Sequence, residues 1–132
     1  LKEGFVLENG SGLSPENRLS AADVVRVLLH VEKDMRIFPD FLASLPSYGW
    51  DGSLHKRMKE SQRERIGSLI RAKSGTLSEP VSVSGLAGFL KHPEDGLIAF
   101  AIIMNGLPGK PQPGVGVLRN LQDTALVEFL QH

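Results

Sequence analysis

Three consecutive residues, Lys73-Ser74-Gly75, combine a cation, a hydroxyl group and a residue without a side chain. The Lys ammonium and the Ser hydroxyl together can hold a carboxylate by charge-assisted hydrogen bonds. Gly75 has no Cβ, so the backbone of a ligand can approach the chain closely at this point. Thr76 follows, and its main-chain N–H and carbonyl can pair with a ligand that lies alongside as an added strand. This group of residues has the chemistry to bind an extended peptide through its terminal carboxylate.

The same triplet is a weak signal when it stands alone. A string of a basic residue, a small residue and Gly occurs by chance in many strands, where the Lys is solvated and the Gly marks a bulge. On a strand, a Lys-hydroxyl-Gly triplet is also one signature of the serine acyl-transferases that bind penicillin. The choice between these two interpretations depends on the rest of the chain.

Other kinds of binding and catalysis are poorly supported. The 132-residue chain has 15 Lys plus Arg and 15 Asp plus Glu, so no bulk charge favours nucleic acid or an anionic membrane. It has no Cys, which excludes disulfides, thiolate metal sites and thiol catalysis. The four His residues lack metal-ligand spacing, and we expect no metal and no cofactor. The longest apolar run, residues 97–104, is far shorter than the roughly 20 residues of a membrane-spanning helix.

Two helices are predicted ahead of the triplet. Ser20, with Asp23 three residues later, is typical of a capped helix start, and apolar residues at helical spacing extend the helix over residues 21–33. Pro39 suits the first turn of a second, short helix, and Pro46 ends it.

The triplet itself lies in the first of three strand-like runs, which are residues 69–77, 81–90 and 97–104. The links between the runs are rich in Pro, Gly and polar residues, as expected for an antiparallel meander. The third run, LIAFAIIM, is apolar on both faces and predicts a central strand covered on each side. A closing helix has an apolar stripe at Leu118, Leu121, Ala125 and Phe129, widened by Leu126 and Leu130. We therefore predict an α+β fold, an antiparallel sheet meander with helices packed on it.

Three further segments are interpreted without a catalytic role. Residues 55–65 are charged without a clean apolar stripe, which indicates a solvated surface segment. Residues 108–116 are rich in Pro and Gly but lack the Gly-Lys-Ser/Thr ending of a nucleotide-binding loop, so we interpret them as a flexible connection. Ser11 and Ser14 lack the Gly-x-Ser-x-Gly context of a nucleophile, and we expect them to stabilise a turn, with Asn17 fixing the loop.

Four segments, taken in order, resemble one family, the penicillin-binding D-alanyl-D-alanine peptidases of the penicillin-binding protein 4 type. The segments are residues 8–14 (ENGSGLS), 45–54 (LPSYGWDGSL), 72–77 (AKSGTL) and 84–89 (SGLAGF). They resemble the family's Asp-Gly-Ser-Gly-Leu-Ser segment, its Leu-Pro…Gly-Tyr-Asp-Gly-Ser-Leu loop, its Ala-Lys-Thr-Gly-Ser-Leu strand and the strand that follows it. The sequence departs from the family by Asn9 for Asp, Trp50 for Tyr and Ser74 for Thr. Ser74 keeps the hydroxyl, whereas Asn9 loses a charge.

The resemblance implies a part of the β-lactamase/transpeptidase-like fold, with residues 1–132 as the C-terminal portion of the catalytic domain. It implies that Lys73, Ser74, Gly75 and Thr76 bind substrate and that the Thr76 N–H is one of two oxyanion-hole donors. The implied ligands are peptidoglycan stem peptides and β-lactams. The implied protein partner is the upstream part of the same catalytic domain, and the implied location is the periplasm or cell envelope.

The family's nucleophile motif, Ser-x-x-Lys, and its Ser-x-Asn motif lie upstream of these segments. Ser53-Leu54-His55-Lys56 has the Ser-x-x-Lys form, but it belongs to the Asp-Gly-Ser-Leu loop and not to the start of a buried helix. No Ser-x-Asn string occurs in the sequence. The leading hypothesis is a serine-type D-alanyl-D-alanine carboxypeptidase/endopeptidase to which this chain supplies the substrate-anchoring strand. The alternative is a non-catalytic peptidoglycan-peptide-binding or interaction module on the same fold, and a β-lactamase is a third option that the loops disfavour.

Overall fold

The structure, a computed structural model, describes residues 5–131 as helices packed on one antiparallel sheet. The helices are α1 (Ala21–Glu32), α2 (Phe38–Ser44), α3 (Glu60–Ile66) and α4 (Val115–Phe129), with short 3-10 helices at Gly52–Leu54 and Gly67–Leu69. The strands are β1 (Ile70–Leu77), β2 (Val83–His92) and β3 (Gly96–Asn105), in the order β1-β2-β3. The predicted α+β meander is confirmed. No helix among the described residues is long and apolar enough to cross a membrane.

Helix α1 begins where its capping signal predicts. The Asp23 N–H donates to Ser20 Oγ at 3.1 Å, and the Ser20 N–H donates to the Asp23 carboxylate at 3.3 Å, which completes a capping box. Hydrogen bonds from Ser20, with a smaller contribution from the Arg26 guanidinium, hold the pKa of the Asp23 carboxyl below its usual range. Helix α2 carries Pro39 in its first turn, as predicted.

Helices cover both faces of the sheet. On one face, α1 and α2 pack on a cluster centred on Leu28, Leu45 and Phe89. On the other face, α4 packs on β2 and β3 and closes a second cluster. The buried members of this second cluster are Tyr48, Leu54, Ile70, Ala72, Leu86, Leu90 and Leu126. Successive side chains of β2 therefore point into opposite clusters, because side chains alternate between the two faces of a strand.

The predicted central position of the third strand is wrong. Within residues 5–131, β3 is an outer strand of the sheet and β2 is the central one. Strand β3 is apolar on both faces because its Ala99 packs toward α1 and α2, whereas Ile98 and Phe100 pack toward α4. Whether the faces of a strand are covered is independent of whether both its edges are paired. An apolar run therefore predicts that the faces are buried, but not where the strand lies in the sheet.

Helix α4 buries a face that differs from the predicted apolar stripe. Leu118, Leu126 and the polar Gln122 are buried, whereas Leu121 and Phe129 are 52% and 51% exposed. The reason is that Gln122 occupies the buried face, where its Nε2 donates to carbonyl oxygens of β2 and β3. A polar residue can lie on such a face because its hydrogen bonds are satisfied there.

Residues 55–65 are only partly the solvated segment that their composition indicates. Most of their side chains are exposed, and the last part of the stretch belongs to α3. Arg57 departs from this pattern, because its side chain is 7% exposed. A buried Arg needs partners, and Arg57 finds them on α4.

Gly88 sets the spacing between β1 and β2. It pairs with Ala72, and a Cβ added at Gly88 would collide with the Arg71 carbonyl oxygen and lie 2.6 Å from Ala72 Cα. Because both contacts involve backbone atoms, the strands themselves would have to move apart. We expect Gly88→Ala to lower the free energy of unfolding, measured by urea denaturation, by about 1–3 kcal/mol.

Gly85→Ala is the matched control for this prediction. Gly85 lies on the same strand, but the heavy atom nearest to an added Cβ, the Gly75 carbonyl oxygen, is 3.9 Å away. We expect this variant to unfold at nearly the same urea concentration as the wild type. Equal losses at Gly85 and Gly88 would show that close contact at Gly88 is not the cause.

Candidate functional site

The Lys73-Ser74-Gly75 triplet lies on β1, at an outer edge of the sheet. The first part of this edge is already paired, because the Ala72 N–H donates to the Pro46 carbonyl at 3.0 Å. Hydrogen-bonding groups of a strand alternate in direction, so Thr76 presents its N–H on the same outer side as Ala72. A Cβ added at Gly75 would meet no heavy atom of the described residues within 4 Å. Among the described residues, no backbone group pairs with the outer side of β1 beyond Ala72, so the edge is open there and the Thr76 N–H points away from β2.

Polar side chains of β1 gather at this open edge. Ser74 and Thr76 share the face of β1 on which Ala72 is buried, and Lys73 lies on the opposite face. The Lys73 ammonium returns to the edge and donates to the Ser74 carbonyl at 2.8 Å. Lys73 is exposed and belongs to none of the ion pairs found in residues 5–131. The edge thus carries an ammonium group, two hydroxyls and an outward N–H.

Ser53 joins this edge, although the sequence assigned it no role. Its Oγ lies 2.7 Å from Ser74 Oγ. Ser53 is exposed in the 3-10 helix Gly52–Leu54, and its hydroxyl partner is Ser74, not Lys56. The Ser-x-x-Lys string that begins at Ser53 therefore lacks the geometry of a nucleophile and its lysine partner. The signal that could have found Ser53 is its place in the loop that resembles the family's Asp-Gly-Ser-Leu loop.

The loop that presents Ser53, residues 47–54, is held by its own hydrogen bonds. The Ser47 N–H donates to the Asp51 carboxylate at 3.2 Å, and the Asp51 N–H donates to the Ser47 carbonyl at 3.0 Å. The Arg63 guanidinium carbon lies 4.6 Å from the Trp50 ring centroid, a cation–π contact that fixes the outer side of the loop. We call residues 47–54 the site loop.

Helix α4 contributes a second residue that sequence reasoning missed. Arg119 Nη2 donates to Thr76 Oγ1 at 3.2 Å. Arg119 is exposed, and like Lys73 it belongs to none of the ion pairs within residues 5–131. No motif or periodicity distinguishes it from any other exposed Arg on a helix. Only the packing of α4 on the sheet brings it to β1.

A buried polar network holds α4 against the site loop. Arg57 Nη2 lies 2.8 Å from Asp123 Oδ1, and the two side chains are 7% and 15% exposed. Arg57 also donates to Gln122 Oε1 at 2.9 Å and to the Arg119 carbonyl at 3.0 Å. The Tyr48 hydroxyl donates to the Asp123 carboxylate. Burial, reinforced by that carboxylate, raises the pKa of the Tyr48 phenol well above its usual range.

The segment that resembles Asp-Gly-Ser-Gly-Leu-Ser is organised by turn chemistry. Asn17 Oδ1 accepts from the Glu8 N–H at 2.8 Å, and Asn17 Nδ2 donates to the Asn9 carbonyl at 3.1 Å. Asn9 Oδ1 accepts from the Ser11 N–H and hydroxyl at 3.2 and 2.9 Å. The turn-stabilising role of Ser11 and the loop-fixing role of Asn17 are confirmed. An Asp carboxylate could accept the same two bonds, so the turn survives the departure at Asn9.

Comparison with known proteins identifies the family of the chain. A sequence model described as "D-Ala-D-Ala carboxypeptidase 3 (S13) family" matches residues 2–121. A D-alanyl-D-alanine carboxypeptidase of Actinomadura sp. (strain R39) is 39% identical over 115 residues, a match that covers 83% of this chain and 20% of the relative. The chain thus spans about a fifth of the length of that relative. The comparison with solved structures found no match. The chain belongs to the D-Ala-D-Ala carboxypeptidase 3 (S13) family.

Proposed function

We propose that this chain is the substrate-anchoring C-terminal portion of a serine-type D-alanyl-D-alanine carboxypeptidase/endopeptidase of the penicillin-binding protein 4 type. The observation that carries the proposal is the open edge of β1, with the Lys73 ammonium, the Ser74 hydroxyl and the outward Thr76 N–H. A peptidoglycan stem peptide that ends in D-Ala-D-Ala offers an extended backbone and a terminal carboxylate, which match these groups. The family of the chain supports the same substrate class.

In the proposed binding mode each residue of the edge has a role. The substrate carboxylate binds the Lys73 ammonium and the Ser74 hydroxyl. The substrate backbone adds to β1 as a further strand, and Gly75 leaves the space that this approach requires. The Thr76 N–H donates to the oxygen of the scissile carbonyl as negative charge develops there, as one of two oxyanion donors. β-Lactams would occupy the same edge through their equivalent carboxylate.

In this proposal the nucleophile lies outside residues 1–132. A serine hydroxyl attacks the carbonyl of the penultimate D-Ala, its proton passes to the leaving amine, and the terminal D-Ala departs as a free amino acid. Water then hydrolyses the resulting ester and releases the shortened peptide. We propose that upstream polypeptide in the β-lactamase/transpeptidase-like fold supplies this serine, its lysine partner and the Ser-x-Asn motif. We place the whole enzyme in the periplasm or cell envelope, where its substrate lies.

The test is acylation of the full-length protein by a fluorescent penicillin. We expect covalent labelling that unlabelled benzylpenicillin prevents, and a labelled peptide that maps to a serine upstream of residue 1. Heat-denatured protein is the control for nonspecific reaction. Absence of label in the folded protein, or a label on Ser53, would refute the proposed mechanism.

A non-catalytic peptide-binding module on the same fold is the second candidate. It is favoured by the absence of a paired Ser and Lys in residues 5–131, where the anchoring edge is nevertheless complete. This candidate predicts that the full-length protein binds a D-Ala-D-Ala peptide in a titration, that Lys73→Ala weakens the binding, and that penicillin leaves no covalent adduct. Covalent labelling would exclude it.

A further inference from the structure

Arg119 lies where it can recognise the terminal carboxylate of the substrate. Its Nη2 donates to Thr76 Oγ1 at 3.2 Å, at the open edge of β1. We infer that Arg119 is a specificity-determining residue for that carboxylate, acting through the Thr76 hydroxyl and through its own positive charge. The inference rests on the proposed function, because it deepens the substrate recognition of the same site.

The hydrogen bond from Arg119 determines what the Thr76 hydroxyl can do. A guanidinium group only donates, so Thr76 Oγ1 is the acceptor and the hydroxyl proton stays free to donate elsewhere. The Ser74 hydroxyl is less constrained, because its partner Ser53 is also a hydroxyl and either oxygen can be the donor. Thr76 therefore provides a second hydroxyl, beside that of Ser74, that is set up to donate to a carboxylate.

The charges around Thr76 favour an anion. Lys73 lies on one face of β1 and Arg119 approaches from the other, and neither belongs to an ion pair among the described residues. Asp123, one turn further along α4, is already paired with Arg57. Two cations that form no ion pair within residues 5–131 stabilise a carboxylate more than a neutral C-terminal amide.

The backbone of α4 holds Arg119 in place independently of its side chain. The Arg119 carbonyl accepts from Arg57 Nη2 at 3.0 Å, and the neighbouring Leu118 is buried. Substitution of the exposed Arg119 side chain leaves both contacts intact. A change of selectivity in such a variant can therefore be assigned to the guanidinium group.

The experiment measures hydrolysis by the full-length protein of two peptides, one ending in D-Ala-D-Ala and the other its C-terminal amide. We expect Arg119→Gln to raise KM for the carboxylate peptide by about 10-fold or more, with little change in kcat. Its kinetics on the amide should equal those of the wild type. Arg119→Lys, which keeps the charge and a donor, should recover part of the loss. In a Thr76→Val background the effect of Arg119→Gln should shrink, because the hydroxyl through which it acts is absent.

Lys91→Gln is the matched control for the loss of one positive charge. Lys91 is exposed on β2. Leu86, the β2 residue that pairs with Ser74, lies five residues from Lys91, so Lys91 is about 17 Å from the site along the strand. We expect this variant to behave as the wild type on both peptides. Equal losses for Arg119→Gln on acid and amide, or no loss on either, would overturn the inference and leave the proposed function intact. A wild-type protein that hydrolyses neither peptide and takes no penicillin label would overturn both.

Discussion

Replacement of Lys73 by Ala is expected to lower kcat/KM of the full-length protein for a D-Ala-D-Ala peptide by about 10- to 100-fold. The Lys73 ammonium is exposed at the open edge of β1, and its hydrogen bond to the Ser74 carbonyl places it beside the proposed carboxylate position. A charged hydrogen bond to the substrate is lost. Arg71, the other cation on that face of β1, already donates to the Leu45 carbonyl at 3.1 Å. The rate of acylation by penicillin should fall with it, because penicillin presents an equivalent carboxylate.

Stability measurements separate this effect from damage to the fold. Because the Lys73 side chain is exposed and forms no ion pair among the described residues, Lys73→Ala should leave the urea midpoint of unfolding unchanged. Lys91→Ala, which removes the same side chain from β2, should retain wild-type kinetics. Unchanged hydrolysis and acylation in Lys73→Ala would exclude Lys73 as the carboxylate anchor.

Replacement of Arg57 by Leu is expected to lower the free energy of unfolding by about 3–5 kcal/mol. The change removes the cation from a pair whose side chains are 7% and 15% exposed and leaves the Asp123 carboxylate buried without it. It also removes donors to Gln122 Oε1 and to the Arg119 carbonyl. Urea denaturation of the 132-residue chain, whose one Trp is Trp50 on the site loop, measures the loss by Trp fluorescence.

Two further variants test whether the loss of stability comes from the burial of the Arg57–Asp123 ion pair. Arg36 forms an ion pair with Asp34 in which its side chain is 88% exposed, so Arg36→Leu should change stability by about 1 kcal/mol or less. The double variant Arg57→Leu/Asp123→Leu should recover part of the loss, because it removes both buried charges. Similar losses for Arg36→Leu and Arg57→Leu would contradict the assignment of the effect to the buried pair.

The elements of the fold could be predicted because their signals are local. The Ser20–Asp23 capping box, Pro39 in the first turn of α2 and the three apolar runs all act within a few residues of chain. The position of β3 within the sheet could not be predicted from such local signals. Its apolar residues report which faces are covered, whereas its place at the edge depends on which strands pair with it.

The triplet on β1 could be found from the sequence, but the side chains that surround it could not. Ser53 and Arg119 come from segments 20 or more residues away in sequence, and their bonds to Ser74 and Thr76 depend on tertiary packing. Gln122 gave a usable signal, because it lies four residues from both Leu118 and Leu126 on the buried face of α4. A polar residue at such a position indicates a hydrogen-bonded partner in the core, here Ser84 on β2.

The contact between Arg57 and Asp123 also has a consequence for the order of folding. The strands of the meander pair with their neighbours in sequence, whereas this contact closes a separation of 66 residues. Closing a long loop costs more entropy than pairing adjacent strands, so the meander should form first and α4 should dock late. Arg119 reaches Thr76 only when α4 has docked. The open edge of β1 would therefore form early, and the Arg119 guanidinium would reach it in one of the last steps of folding.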